Sequence, residues 1–328
     1  MDEKQIIQQI LDLKENEVEQ FIEQRLDELE NTAIEDRDEI SLISYILRRN
    51  KGEKENTEVV GYIPSKTKIS KMQFDIASFK VDDKSFYKTI IDYVKKVDNN
   101  RIKQGDKINH NYIMSAIQCT IIDYFGMRGN ENRRNVLYNS KDDIENGDDT
   151  LSIKDFKRNN TAMCLERSAV AQNMLAFLGY NPMMIMGFLS NKKGIVNEGH
   201  AFNCIIRNGK GMLVDFTNPI CKDGQYYRVA QYPIKEETLQ EFMKGKGKID
   251  VQYKNLYTEN GEVKEEIIPA VYSSEEIEPK YFEEHSNVSP QSIQRDTQNL
   301  GLQEINNVGL ETKNLQNQRT TQNKEVSK

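Results

Sequence analysis

The apolar period of the chain changes at Gly179, and that change sets the order of its main elements. Before it, CLERSAVAQNMLAFLGY carries Cys164, Ser168, Ala171, Leu175 and Leu178 at i, i+4, i+7, i+11 and i+14, the repeat of one helical face. Thr161 is the expected N-cap, which places Cys164 at N3, and Gly179 supplies a left-handed stop. After it come MMIMGFL, HAFNCIIR, GMLVDFT, QYYRVAQYPI, KIDVQYKNLYT and EEIIPAVYSS, which read as strands, with a short helix over 236–243. A helix packed on an antiparallel sheet is α+β organisation.

HAFNCIIR and GMLVDFT flank the turn tract NGKG, so they are expected to form a hairpin. A two-residue loop at Asn208 and Gly209 pairs Phe202 with Asp215 and His200 with Thr217, which sets His200 and Asp215 diagonally on one face. A four-residue loop preserves that face, whereas a three-residue loop separates the two side chains.

Cys164, His200 and Asp215 then stand in the roles of nucleophile, base and orienter. A thiol in a first helical turn feels the helix dipole and unpaired amides, which pull its pKa below the usual value of about 8.5. Histidine takes the thiol proton, and a carboxylate beside it fixes the tautomer and stabilises the imidazolium. The bland alternatives are a buried structural cysteine, a strand-end histidine and a loop-end carboxylate. Cys204 shares the parity of His200 but reads as mid-strand core, Cys119 reads as helix core, and Cys221 follows a proline turn without an evident partner. His110 and His285 read as surface residues, and Asn203 faces away from His200 by alternation.

Elsewhere, residues 3–31 and 38–49 have amphipathic helical spacing, and the charged run NKGEKEN marks a linker near residue 55. Two further helices are expected over 84–127, and 128–160, rich in Asn, Asp, Gly and charge, reads as long surface loop. From residue 285 the chain holds 14 Asn or Gln and no aromatic residue, too little apolar surface to offset chain entropy. The expected divisions are a helical region 1–55, an α+β core 56–280 and a disordered tail 281–328.

A net charge of −7 gives no field for a phosphate backbone, so nucleic acid is not an expected partner. The charged N-terminus lacks a cleavable signal and no run of about 18 apolar residues occurs, so a soluble, cytoplasmic protein without membrane contact is expected, with signal-less export left open. Four irregularly spaced cysteines read as reduced thiols, and neither a metal nor a cofactor is expected.

The segments CLERSAVAQNMLAFLGY, MMIMGF, GHAFN and LVDFTNP resemble the transglutaminase-like superfamily, a branch of the papain-like thiol enzymes. The resemblance covers residues 160–219 and implies a core extending over about 80–275, with Cys164 as nucleophile, His200 as base and Asp215 as the third member. The chain departs from the family at Met163, where glycine is common, and at Phe202, where tryptophan is common. No tryptophan exists to bind an oxyanion. The Cys164 amide supplies one donor, and the second is unassigned, with Gln118 and Tyr138 as guesses only.

The function implied is attack on an amide or peptide bond through a thioester, passing the acyl group to water or an amine, with hydrolysis preferred to crosslinking. An arylamine N-acetyltransferase uses the same three residue types. The competing reading is a catalytically inactive scaffold. A protein or peptide substrate is expected, and the N-terminal helices or the tail, through Leu300, Leu302 and Leu310, are candidate contacts for a protein partner.

Overall fold

The computed structural model describes residues 2–32, 61–63, 72–73, 78–96, 103–104, 107–127, 129, 131–142, 151–191, 198–207, 210–219, 221–223, 226–243, 246–259, 262–275 and 277. The expected helix over 38–49, the boundary near residue 55, His285 and the tail from 281 lie outside the described residues. The described residues all belong to one compact unit.

The helices are α1 (Glu3–Asp12), α2 (Val18–Thr32), α3 (Ser85–Lys96), α4 (His110–Phe125), α5 (Glu131–Asp142), α6 (Ile153–Asn159), α7 (Cys164–Phe177) and α8 (Glu236–Met243). The strands are β1 (Gly61–Ile63), β2 (Met72–Gln73), β3 (Ser78–Lys80), β4 (Lys103–Gln104), β5 (Lys107–Ile108), β6 (Leu151–Ser152), β7 (Pro182–Asn191), β8 (Glu198–Arg207), β9 (Lys210–Asp215), β10 (Cys221–Asp223), β11 (Tyr226–Arg228), β12 (Ala230–Ile234), β13 (Lys248–Glu259) and β14 (Glu262–Ser273).

The main sheet runs β12-β9-β8-β7-β14-β13, antiparallel throughout, with β1 added on β7. It curls until its edges nearly meet, and Tyr232 Oη on β12 donates to the Gln252 carbonyl on β13 at 2.6 Å. The fold is α+β, with a nearly closed antiparallel sheet.

Alternation along the strands gives this sheet two buried faces. Inward, Ile185, Phe202, Cys204, Leu213, Val251 and Tyr272 form one core, closed at one end by Leu239 and Phe242 of α8. Outward, Met184, Met186, Ala201, Val214 and Phe216 join the helical core of α1 to α4 and α7. Burial on both sides explains why β7 reads as a nearly continuous apolar run.

Helix α7 lies at the centre of the outward core and is buried over most of its surface. Its polar side chains are therefore bonded rather than solvated: Ser168 Oγ donates to the Ala201 carbonyl at 2.9 Å, and Gln172 Nε2 to the Pro182 carbonyl at 3.0 Å. The expected stop is present. Gly179 has φ +84, and the amides of Gly179 and Tyr180 bond back to Ala176 and Leu175, each at 3.0 Å, a Schellman ending. Arg25 of α2 also caps this end, donating to the Phe177 carbonyl at 3.0 Å and, as a second donor, to the Ala176 carbonyl at 3.2 Å.

The stretch 128–160 departs from the expected loop, since it contains α5, β6 and α6. Helix α5 is mostly polar and its composition hides it. Helix α6 is fixed by buried Ile153 and Phe156 and by a capping box between Ser152 and Asp155.

Gly187 sits where β7 changes neighbour from β1 to β14. A Cβ there would lie 2.2 Å from the Ser273 carbonyl oxygen, a backbone atom that cannot swing aside. Gly187→Ala is expected to destabilise the protein by about 1–3 kcal/mol, read as a lower urea midpoint, because the strands must separate to admit the methyl group.

Candidate active site

Residues 160–163 set the start of α7. Asn160, at φ 52, ends α6, and the Thr161 amide still bonds to the Phe156 carbonyl at 3.1 Å. Thr161 therefore belongs to the preceding turn, and its Oγ1 caps nothing. The N-cap is Met163 and Cys164 occupies N1, not the expected Thr161 and N3. Glu166 supplies the cap instead, accepting from the Met163 amide at 2.9 Å. Its other oxygen pairs with Arg134 of α5 at 2.7 Å. Position N1 still leaves the Cys164 amide in the first turn, at the positive end of the dipole.

The hairpin follows the two-residue expectation. Arg207 pairs with Lys210 and Asn203 with Val214, a register that sets Phe202 opposite Asp215. His200 and Asp215 consequently share the inward face, and His200 Nε2 lies 2.9 Å from Asp215 Oδ2. With Nε2 engaged, Nδ1 is the ring nitrogen left for the thiol, and the His200 ring acts electrostatically on Cys164. The half-buried sulfur also stands 3.8 Å from the Gly199 carbonyl oxygen. Ala201 and Asn203 point the other way, where Asn203 Nδ2 donates to the Ser168 carbonyl at 3.2 Å and to Gln172 Oε1 at 3.1 Å. This bond pattern and that of Ser168 lock β8 onto α7 next to the thiol.

Asp215 is fully buried, and three donors satisfy it: His200, the Tyr272 hydroxyl on Oδ2, and the Thr217 amide on Oδ1 at 2.8 Å. Burial alone would raise its pKa, but the His200 charge and these hydrogen bonds hold it below the ordinary 3.8. Burial opposes charge on His200 too, yet Asp215 and Cys164 outweigh it and raise the ring to about 10. At Cys164 burial pushes upward and loses to the His200 ring and to Arg134, leaving the thiol below its ordinary value. At both groups the fields of the neighbours favour the charged form over the neutral one. Cys204 shows the contrast, since burial without such partners pushes its thiol up to about 12.

These shifts also act on stability. Asp215 contributes above 3.8 and loses its contribution as pH falls through its lowered folded value. His200 contributes fully below 6.5 and loses its contribution as pH rises through about 10. The stability lost in Asp215→Asn is therefore expected to be greatest between pH 3.8 and 6.5 and to shrink toward pH 10, as urea titrations at several pH values would measure.

Other candidates take structural places. Cys119 and Cys204 are buried. The side chains of Cys221 and Tyr138 lie outside the described residues. His110 departs from the expected surface position: it is half-buried, with Nδ1 2.6 Å from Tyr180 Oη. Gln118 Nε2 donates to the Phe216 carbonyl at 3.0 Å and so braces the strand end next to Asp215. Among the described residues no group of His, Cys, Asp and Glu side chains could hold a metal ion, and no helix is long and apolar enough to cross a membrane.

Sequence reasoning missed Tyr272, Glu166, Arg134 and Arg167. Arg167, 2% exposed, donates to the Ala162 carbonyl at 3.1 Å and to the Gly126 carbonyl at 2.8 Å, holding the turn that precedes Cys164. The spacing of Met163 and Glu166 carried a capping signal, whereas nothing local ties Tyr272 to a carboxylate 57 residues away. Comparison with known protein families, with curated proteins and with solved structures found no match.

Proposed function

We propose that the chain is a Cys-His-Asp thiol enzyme that acts on an amide or peptide bond through a thioester, with a transglutaminase-like, papain-like core. The observation that carries this reading is the 2.9 Å contact of His200 Nε2 with buried Asp215, which leaves the other ring nitrogen to a thiol at a helix N-terminus.

In this mechanism the Cys164 thiolate attacks the amide carbonyl carbon, forming a C–S bond while the carbonyl π pair moves to oxygen. The Cys164 amide, in the first helical turn, is one donor to that oxyanion. Collapse breaks the C–N bond, and the His200 imidazolium protonates the departing nitrogen. His200, now neutral, removes a proton from water or an amine as it attacks the thioester, and breaking the C–S bond restores the thiolate beside the imidazolium. Asp215 holds the ring so that one nitrogen faces the sulfur throughout. Cys164 is partly exposed, and a protein or peptide substrate is the class this reading favours.

Iodoacetamide labelling followed by peptide mass spectrometry tests the reading without a substrate. Cys164 is expected to label selectively, and to keep labelling well below pH 8, because its thiolate survives where ordinary thiols are protonated. Equally slow labelling of all four cysteines would point instead to an inactive scaffold.

A further inference from the structure

Asp215 Oδ2 accepts from two donors at once, the His200 ring at Nε2 and the Tyr272 hydroxyl. Tyr272 arrives from β14, where it pairs with Leu189 of β7, and reaches across the interior of the curled sheet to β9. Its ring also lies nearly parallel to the imidazole, at 5.3 Å between centroids and 10° between planes. Phe202 stacks with Tyr272 in turn at 4.9 Å, so the phenol cannot turn away from the dyad without breaking the core. Tyr272 is fully buried, and burial beside Asp215 keeps it a neutral phenol, hence a donor.

A carboxylate oxygen that shares its negative charge between two donors holds each less tightly than one that serves a single donor. The groups facing His200 are Cys164 from α7, Asp215 from β9 and Tyr272 from β14. Tyr232 of β12 acts on Asp215, and Arg134 and Arg167 act on Cys164. Of these, Tyr272 alone among the described residues both stacks on the imidazole and hydrogen-bonds its carboxylate partner.

We propose that Tyr272 is a positioning residue that moderates the grip of Asp215 on the His200 imidazolium, so that the ring releases its proton to the departing amine. The proposal rests on the thiol-enzyme reading. In the step concerned the ring N–H bond breaks with its electron pair left on the imidazole, and the proton goes to the nitrogen that has just gained the pair of the broken C–N bond. A ring held too tightly by Asp215 keeps that proton and slows acylation.

The chain has three histidines, so the His200 ring can be followed individually by NMR. The titration is best made in the full-length Cys164→Ala protein, where no thiolate is coupled to the ring. There, Tyr272→Phe is expected to raise the midpoint of His200 by about one unit, because it keeps the stack and deletes the competing donor. Difluorotyrosine at position 272, a stronger donor of nearly the same shape, is expected to lower it, and decides the matter if Tyr272→Phe fails to fold. With Asp215→Asn also present, Tyr272→Phe should move nothing. An unchanged midpoint in both Tyr272 variants, or an equal shift when Asp215 is gone, overturns the role while leaving the nucleophile reading standing. Loss of selective alkylation at Cys164 in the unaltered protein removes the reaction that Tyr272 would serve and overturns both.

Discussion

His200→Ala is expected to slow iodoacetamide labelling of Cys164 by roughly thirtyfold at pH 6.5, and to give it the pH profile of an ordinary thiol. A thiol with a pKa of about 8.5 is about 1% ionised at that pH, and its greater intrinsic nucleophilicity recovers only part of the loss. The imidazole is the main influence holding the Cys164 pKa down, so its removal returns the thiol to at least the ordinary range. The two proteins should converge only where both thiols are ionised. On the proposed mechanism amide turnover should fall further, by about 10⁴ or more, because there the same ring also protonates the leaving amine. Time-resolved mass spectrometry of the Cys164 peptide across pH decides the first claim. An unaltered profile would mean that the ring and the sulfur do not communicate.

Arg134→Ala is expected to cost about 3–5 kcal/mol in unfolding free energy, a large effect for a residue on a polar helix. Its partner Glu166 is fully buried, with Arg134 on one oxygen and the Met163 amide on the other. Removing the guanidinium strands a carboxylate inside the protein, at the turn that aims Cys164. Adding Glu166→Gln should recover much of the loss, since a neutral amide costs far less to bury and its oxygen can still accept from Met163. Urea denaturation of the two variants would measure this. A single variant as stable as the unaltered chain would show that the pair contributes nothing.

Helix α7, its glycine stop and the hairpin register were legible because each is encoded by neighbours in the chain. Period 3.6, a left-handed residue and a two-residue turn tract act over a few positions, and they put His200 and Asp215 on one face. The beginning of α7 was misread for the same reason. Thr161 is a good cap in isolation, but it is already committed to the end of α6, and Glu166 takes the role from inside the helix. Helix α5 reads as loop in the sequence because it is mostly polar and carries no apolar stripe.

The sequence by itself determined that a cysteine begins a helix and that a histidine and an aspartate share one face of a hairpin, since local periodicity and turn chemistry suffice for both. Only the tertiary structure decided that the sulfur meets that histidine, that Tyr272 closes over the carboxylate, and that Arg134 neutralises the buried Glu166. Those contacts join residues 32 to 57 positions apart, such as Arg134 with Glu166 and Asp215 with Tyr272, and they depend on how far the sheet curls. That closure needs strands from residues 182 to 273 paired in one order, which no single stretch of sequence specifies alone.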